Sequence, residues 1–143
     1  MHPIQERFVE DLAVGMTASI SKTITETDII LFSGVSTDVN PIHIDEEYAA
    51  ATIFKGRVAH GMLSASLISA VLANKLPGPG TIYMAQNARF RSPVRPEDTV
   101  TATVTIKEVL VEKKRVILDT TCRVGDRVVI EGEATVMFPS RKD

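Results

Sequence analysis

The sequence predicts an α+β domain in which a long antiparallel sheet wraps around one buried central helix. Three observations point there. Residues 62–76 are apolar or small on almost every side, interrupted only by serines, Asn74 and Lys75, and a helix that is apolar all round is a buried one. After it, residues 81–90, 99–111, 115–124 and 128–138 carry the alternation and β-branched content of strands. The links between those strands are short and rich in turn residues, which favours antiparallel neighbours.

Taken in order, the first fifteen residues, up to Gly15, are expected to be loosely structured. Residues 17–25 alternate and are rich in β-branched side chains, so they form a strand. Thr27 is placed to cap a short helix that starts near Asp28 and fades at Ser33-Gly34. A turn follows at 38–43, because Pro41 lacks a backbone donor and pushes Asn40 out of helical geometry. Asp45 serves as N-cap for a second short helix over 46–52. The buried helix spans 60–76, and Leu76-Pro77-Gly78-Pro79-Gly80 stops it. The strand links are marked by Ser92-Pro93 with Arg95-Pro96-Glu97-Asp98, then Glu112-Lys113-Lys114, then Gly125-Asp126. With the sheet as bun and helix 60–76 as sausage, this is the hot-dog architecture.

Length and composition narrow the function. A chain of 143 residues suits one domain, 1–143, with one sizeable core. The formal charge is −2 with scattered basic residues, and two tyrosines, five phenylalanines and no tryptophan are few rings for stacking bases; a nucleic-acid partner is not expected. The acidic balance argues against an anionic membrane surface, and no stretch is long and apolar enough to span a bilayer. Cys122 cannot make an internal disulfide and reads as a small core residue. Without an apolar leader in Met1-His2-Pro3-Ile4-Gln5-Glu6-Arg7, the expected compartment is the cytoplasm.

The chemistry is concentrated in Asp38-Val39-Asn40-Pro41-Ile42-His43 and, downstream, His60-Gly61-Met62. A carboxylate and an imidazole stand five residues apart around an Asn-Pro break. Acid–base catalysis needs such a pair at one spot, and packing seldom does. Either residue alone would read as a cap or a satisfied surface group; their joint spacing favours catalysis. His60 reads as a residue that caps or packs at the helix start. Ser64, Ser66 and Ser69 read, on their own, as helix serines bonding back to the preceding turn. Asp38, His43, Asp45 and His60 match no helical zinc spacing, and neither metal nor cofactor is expected. Lys55, Arg57, Arg89, Arg91 and Arg95 read as solvated charges, one or two of them candidates for meeting phosphates.

Together the Asp38–His43 turn, Ala59-His60-Gly61-Met62 and the stretch RFRSPVRPEDTVTATV at 89–104 resemble the MaoC-like (R)-specific enoyl-CoA hydratases, the hydratase 2 group, over most of the chain. The short bacterial members that feed polyhydroxyalkanoate synthesis are the most similar. Many members carry Gly immediately before the aspartate, where this chain has Thr37. The resemblance implies a hot-dog homodimer that adds water reversibly to trans-2-enoyl-CoA, giving (R)-3-hydroxyacyl-CoA. It implies that Asp38 and His43 hold the water and that the Gly61 N–H receives the thioester oxyanion, a role that a helix N-terminus suits. Ser69 matches a serine near the catalytic pair, and Ser66, Ser69 and Ala70 are candidates for shaping an acyl tunnel. Asn40 is a candidate for supporting the turn or the water. A hot-dog acyl-CoA thioesterase and a non-catalytic acyl-CoA or acyl-carrier binding module are the competing readings. Edge-to-edge pairing in a homodimer would relieve an uncovered sheet edge.

Overall fold

A computed structural model describes residues 5–143. Strand β1 (Thr17–Thr23) leads into helix α1 (Glu26–Ser36), then α2 (Pro41–Ile44), α3 (Glu46–Ala50) and the long α4 (Gly61–Asn74). Strands β2 (Ile82–Phe90), β3 (Thr99–Leu110), β4 (Arg115–Val124) and β5 (Arg127–Met137) complete the chain. All five strands form one sheet in the order β1-β3-β4-β5-β2, with every pair antiparallel. The sheet curls around α4 as the hot-dog pattern requires.

The core follows from strand periodicity. Val100, Ala102, Val104 and Ile106 of β3 and Val116, Leu118, Thr120 and Cys122 of β4 point inward and are buried. They meet Leu63, Leu67, Ile68, Val71 and Leu72 of α4. The other face of β3 carries threonines, which pair with hydroxyls of β1: Ser19 with Thr103, Ser21 with Thr101 and Thr23 with Thr99, each at 2.7 Å. Such cross-strand pairs contribute roughly 0.2–1 kcal/mol apiece. Cys122 is fully buried, and burial pushes its thiol up to about 12, so it is a core residue without nucleophilic character.

Three expectations need correction. Helix α1 is capped by Thr25, not Thr27: Thr25 Oγ1 accepts from the Asp28 N–H, and the Asp28 carboxylate accepts from the Thr25 N–H. That reciprocal box takes Thr25 out of β1. The helix also runs past Gly34 to Ser36 and ends where Thr37 turns left-handed. The segment before Gly15 is not loose over its described part. Val9 is fully buried, its N–H donates to the Pro139 carbonyl, and Asp11 pairs with Arg141; residues 1–4 lie outside the described part.

One further observation and the last correction bear on the site. In the single chain α4 is not covered all round: Met62 is 61% exposed, and Ser66, Ser69 and Ala73 continue that exposed stripe. Edge strand β2 is likewise open, with Ile82, Tyr83, Met84 and Phe90 in solvent. Arg57 and Arg95 are not free solvated charges. The Arg57 guanidinium grips Glu26 with two bonds of 2.7 Å and donates from Nε to the His43 carbonyl. Arg95 ties the backbone carbonyls of Phe54, Gly56 and Arg57. Among the described residues, no helix is long and apolar enough to cross a membrane.

Candidate active site

The Asn-Pro break builds the site in two strokes. Asn40 caps α2: its Oδ1 accepts from the Ile42 N–H, and Pro41 takes the first helical position, where a missing donor does no harm. The expected turn is thus a break followed by a single helical turn, and His43 rides on that turn facing inward. Asp38 stays ahead of the break, its Oδ1 accepting from the Asn40 N–H. The carboxylate Oδ2 of Asp38 ends 3.9 Å from Nε2 of His43. This is too long for a direct hydrogen bond, and it leaves a gap that one water can bridge.

The chemistry of the pair is set by its neighbours. Nδ1 of His43 lies 2.7 Å from the Val58 carbonyl. A carbonyl only accepts, so the proton of neutral His43 sits on Nδ1 and Nε2 keeps its lone pair toward Asp38. Burial holds the His43 pKa below the ordinary imidazole range; the Val58 bond and Asp38 oppose that shift, and His60 and Arg57 reinforce it. Asp38, by contrast, is half exposed. An unprotonated ring nitrogen and a solvated carboxylate therefore face each other across one water's width.

Asp38, His43, His60, Gly61, Phe90 and Pro93 border one cavity of about 470 Å³, closed at the back by Val58, Val94 and Ile130. Gly61 opens α4, whose N-cap His60 makes no side-chain cap bond. The N–H groups of the first turn thus lack that partner. A Cβ built on Gly61 would stand 2.7 Å from the Phe90 ring. Asn40 supports the turn and is not on the cavity wall. Ser66 and Ser69 are not brought to it either: they stand on the exposed stripe of α4, with the Ser66 hydroxyl bonded back to the Leu63 carbonyl.

Several site neighbours were not singled out from the sequence. The Val58 carbonyl and the Arg57–Glu26 clamp are long-range partners with no local signal. Phe90 lies in the 89–104 stretch, but nothing local signals its place over Gly61. Asp38, His43 and His60 offer ligand atoms within 4.8 Å of one another. The imidazoles of His43 and His60 are stacked at 3.8 Å and 27°, and His60 Nε2 lies within hydrogen-bond distance of the Asp38 carbonyl and Ser33 Oγ.

Thr37 explains the glycine that often precedes this aspartate. Its φ is +65°, a region that costs a residue with a Cβ about 1–2 kcal/mol. Thr37→Gly removes that strain and adds roughly 0.5–1 kcal/mol of chain entropy. The substitution is expected to stabilise the fold by about 0.5–1 kcal/mol. A lower urea midpoint for the variant would contradict this.

Comparison with known proteins agrees with this geometry. The family model described as "MaoC like domain" matches residues 10–130. The chain is 58% identical over 134 residues to an (R)-specific enoyl-CoA hydratase of Rhodospirillum rubrum, covering 94% of this chain and 93% of that one. It is 46% identical to a 3-hydroxybutyryl-CoA dehydratase of Methylorubrum extorquens, covering 95% and 87%. Among solved structures, the (R)-hydratase from A. caviae involved in PHA biosynthesis superposes with a TM-score of 0.88 at 38% identity, covering 91% of this chain and 99% of that one. A five-stranded sheet curled around α4, a carboxylate and an imidazole across the Asn-Pro break, and a family match over most of the length lead to one conclusion: the chain belongs to the MaoC-like domain family.

Proposed function

We propose that this chain catalyses the reversible hydration of trans-2-enoyl-CoA to (R)-3-hydroxyacyl-CoA. The observation that carries the reading is the 3.9 Å gap between Asp38 Oδ2 and His43 Nε2 on the wall of a largely apolar cavity. A water in that gap donates one hydrogen to each group. As its oxygen bonds to C3, His43 Nε2 takes a proton and the C2=C3 electron pair moves toward the thioester oxygen. The Gly61 N–H stabilises the oxyanion. The imidazolium, held by the Asp38 carboxylate, then returns the proton to C2 on the same face, and the thioester re-forms. Dehydration runs the same steps backwards.

Incubation with crotonyl-CoA tests the proposal. Loss of the conjugated absorbance with appearance of the (R)-3-hydroxy product supports it. Release of free thiol with no 3-hydroxyacyl-CoA formed would replace it with a thioesterase.

The lowered His43 pKa gives the activity a pH signature. Activity is expected to persist below about pH 6.5, the ordinary imidazole midpoint, because neutral His43 survives there. Stability behaves in the matching way. Between the lowered folded value and about 6.5 the unfolded chain binds more protons than the native one, so acidification through that window draws stability down. An acid limb of kcat/KM centred above 6.5 would contradict the assignment of His43.

A homodimer belongs to the same proposal. The open β2 edge and the exposed Met62, Ser66 and Ser69 of α4 together form a surface that a second copy would cover by strand pairing. There Ser66 and Ser69 would gain surroundings the single chain lacks. Light scattering is expected to give twice the chain mass of 15.6 kDa; a monomer mass would overturn the pairing. A cytoplasmic location is likewise part of the proposal.

A further inference from the structure

We propose that His60 is a positioning residue for the Asp38–His43 pair, fixing the backbone of one with its Nε2–H and the ring of the other with its face. The imidazole is 2% exposed and touches both partners at once. Its Nε2 lies 2.9 Å from the Asp38 carbonyl oxygen and 3.2 Å from Ser33 Oγ. The carbonyl can only accept, so the proton of neutral His60 is on Nε2. Its face stacks on His43 at 3.8 Å, and the Phe32 ring lies 4.9 Å away, tilted by 59°.

The pair needs this support. Asp38 follows a threonine in left-handed geometry, and among the described residues its carboxylate has the Asn40 N–H and the distant His43 to orient it. A shift of an ångström there breaks the water bridge, and misplacement of that size costs about 10²-fold in rate. The His60 bond to the Asp38 carbonyl opposes the shift. On the other partner, the His60 ring shields the face of His43 and helps keep it neutral; the remaining charged or polar groups facing His43 are Asp38, Arg57 and the Val58 carbonyl.

A second observation separates this role from packing alone. With the proton on Nε2, His60 Nδ1 is a buried acceptor without a partner, and the other such orphan among the described residues is the Ser64 hydroxyl, one helical turn on. A ring present only to fill space would be better replaced by phenyl, which leaves no nitrogen unsatisfied. Retaining imidazole here makes sense if the Nε2–H bond to Asp38 matters more than the orphaned Nδ1.

The test uses two variants and one measurement on the wild type. His60→Phe keeps the stack and loses the donor; kcat for enoyl-CoA hydration is expected to fall about 10²-fold with KM changed less than about threefold. His60→Gln keeps an amide donor and loses the ring; kcat is expected to recover about tenfold relative to His60→Phe, while the His43 ring, opened to water, titrates at higher pH by NMR. Wild-type kcat in His60→Phe, or an unmoved His43 midpoint in His60→Gln, would overturn the proposal. On the wild type, ¹⁵N shifts must show His60 protonated on Nε2 with coupling to the Asp38 carbonyl, and a proton on Nδ1 overturns it without any variant. The kinetic arm rests on the hydratase reading and the NMR arm does not, so a wild type that fails to hydrate enoyl-CoA sinks that reading alone.

Discussion

His43→Gln is expected to lower kcat/KM for enoyl-CoA hydration by about 10²–10⁴-fold, the range for removing one positioned acid–base group. Glutamine is close in size and still hydrogen-bonds, but it cannot take a proton from water and hand it to carbon. Asp38→Asn is expected to lose a comparable factor for a different reason. An amide at that position does not hold the developing imidazolium by charge, and its NH2 group cannot accept from the water. Because the two groups act on one water, the double variant should be barely worse than the weaker single one. Asp38 is half exposed and its carboxylate stands 3.9 Å from His43, beyond direct hydrogen-bond reach, so Asp38→Asn should melt close to the wild type. Parallel rate and melting measurements check this. A rate loss that tracked a melting loss, or turnover unchanged in both variants, would remove the pair from the chemistry.

Gly61→Ala should separate activity from stability even more sharply. Alanine favours helix over glycine by roughly 0.5–1 kcal/mol, and the position opens α4. Yet the added methyl meets Cδ1 and Cε1 of Phe90 at 2.7 Å. Phe90 is 53% exposed and borders the cavity, so the ring can move, and moving it reshapes the cavity wall beside the helix N-terminus. The rate is expected to fall about 10²–10³-fold, the cost of losing one oxyanion donor, while the urea midpoint stays level or rises. Full activity in Gly61→Ala would mean that the glycine serves helix–sheet packing alone.

Much of this was legible along the chain because the physics was local. An Asn-Pro break is a covalent constraint, so the placing of Asp38 and His43 on either side of it could be read directly. Strand alternation and the glycine-proline stop after α4 are equally local, and the sheet follows them. Two kinds of feature were hidden. One is partnership at a distance: nothing around Arg57 announces Glu26, and nothing around His60 announces the Asp38 carbonyl, since both pairings exist only once α1 is docked. The other is coverage. The stripe Met62, Ser66, Ser69 and Ala73 is apolar or small whether the sheet or another surface lies over it, so composition cannot say that it faces outward in a single chain. The cap of α1 is a different case. Thr25-x-x-Asp28 is itself a local signal, a hydroxyl and a carboxylate three residues apart that cap each other's backbone N–H.

Hydration of crotonyl-CoA in D₂O, with the product's C2–C3 configuration assigned by NMR, tests the bridging water most directly. A single deuteron at C2, on the same face as the new oxygen at C3, is the result expected when one carboxylate and one imidazole handle every proton from one side. Deuterium on the opposite face, or spread over both, would contradict it, because no water confined between Asp38 and His43 could then have supplied the hydroxyl and the proton together.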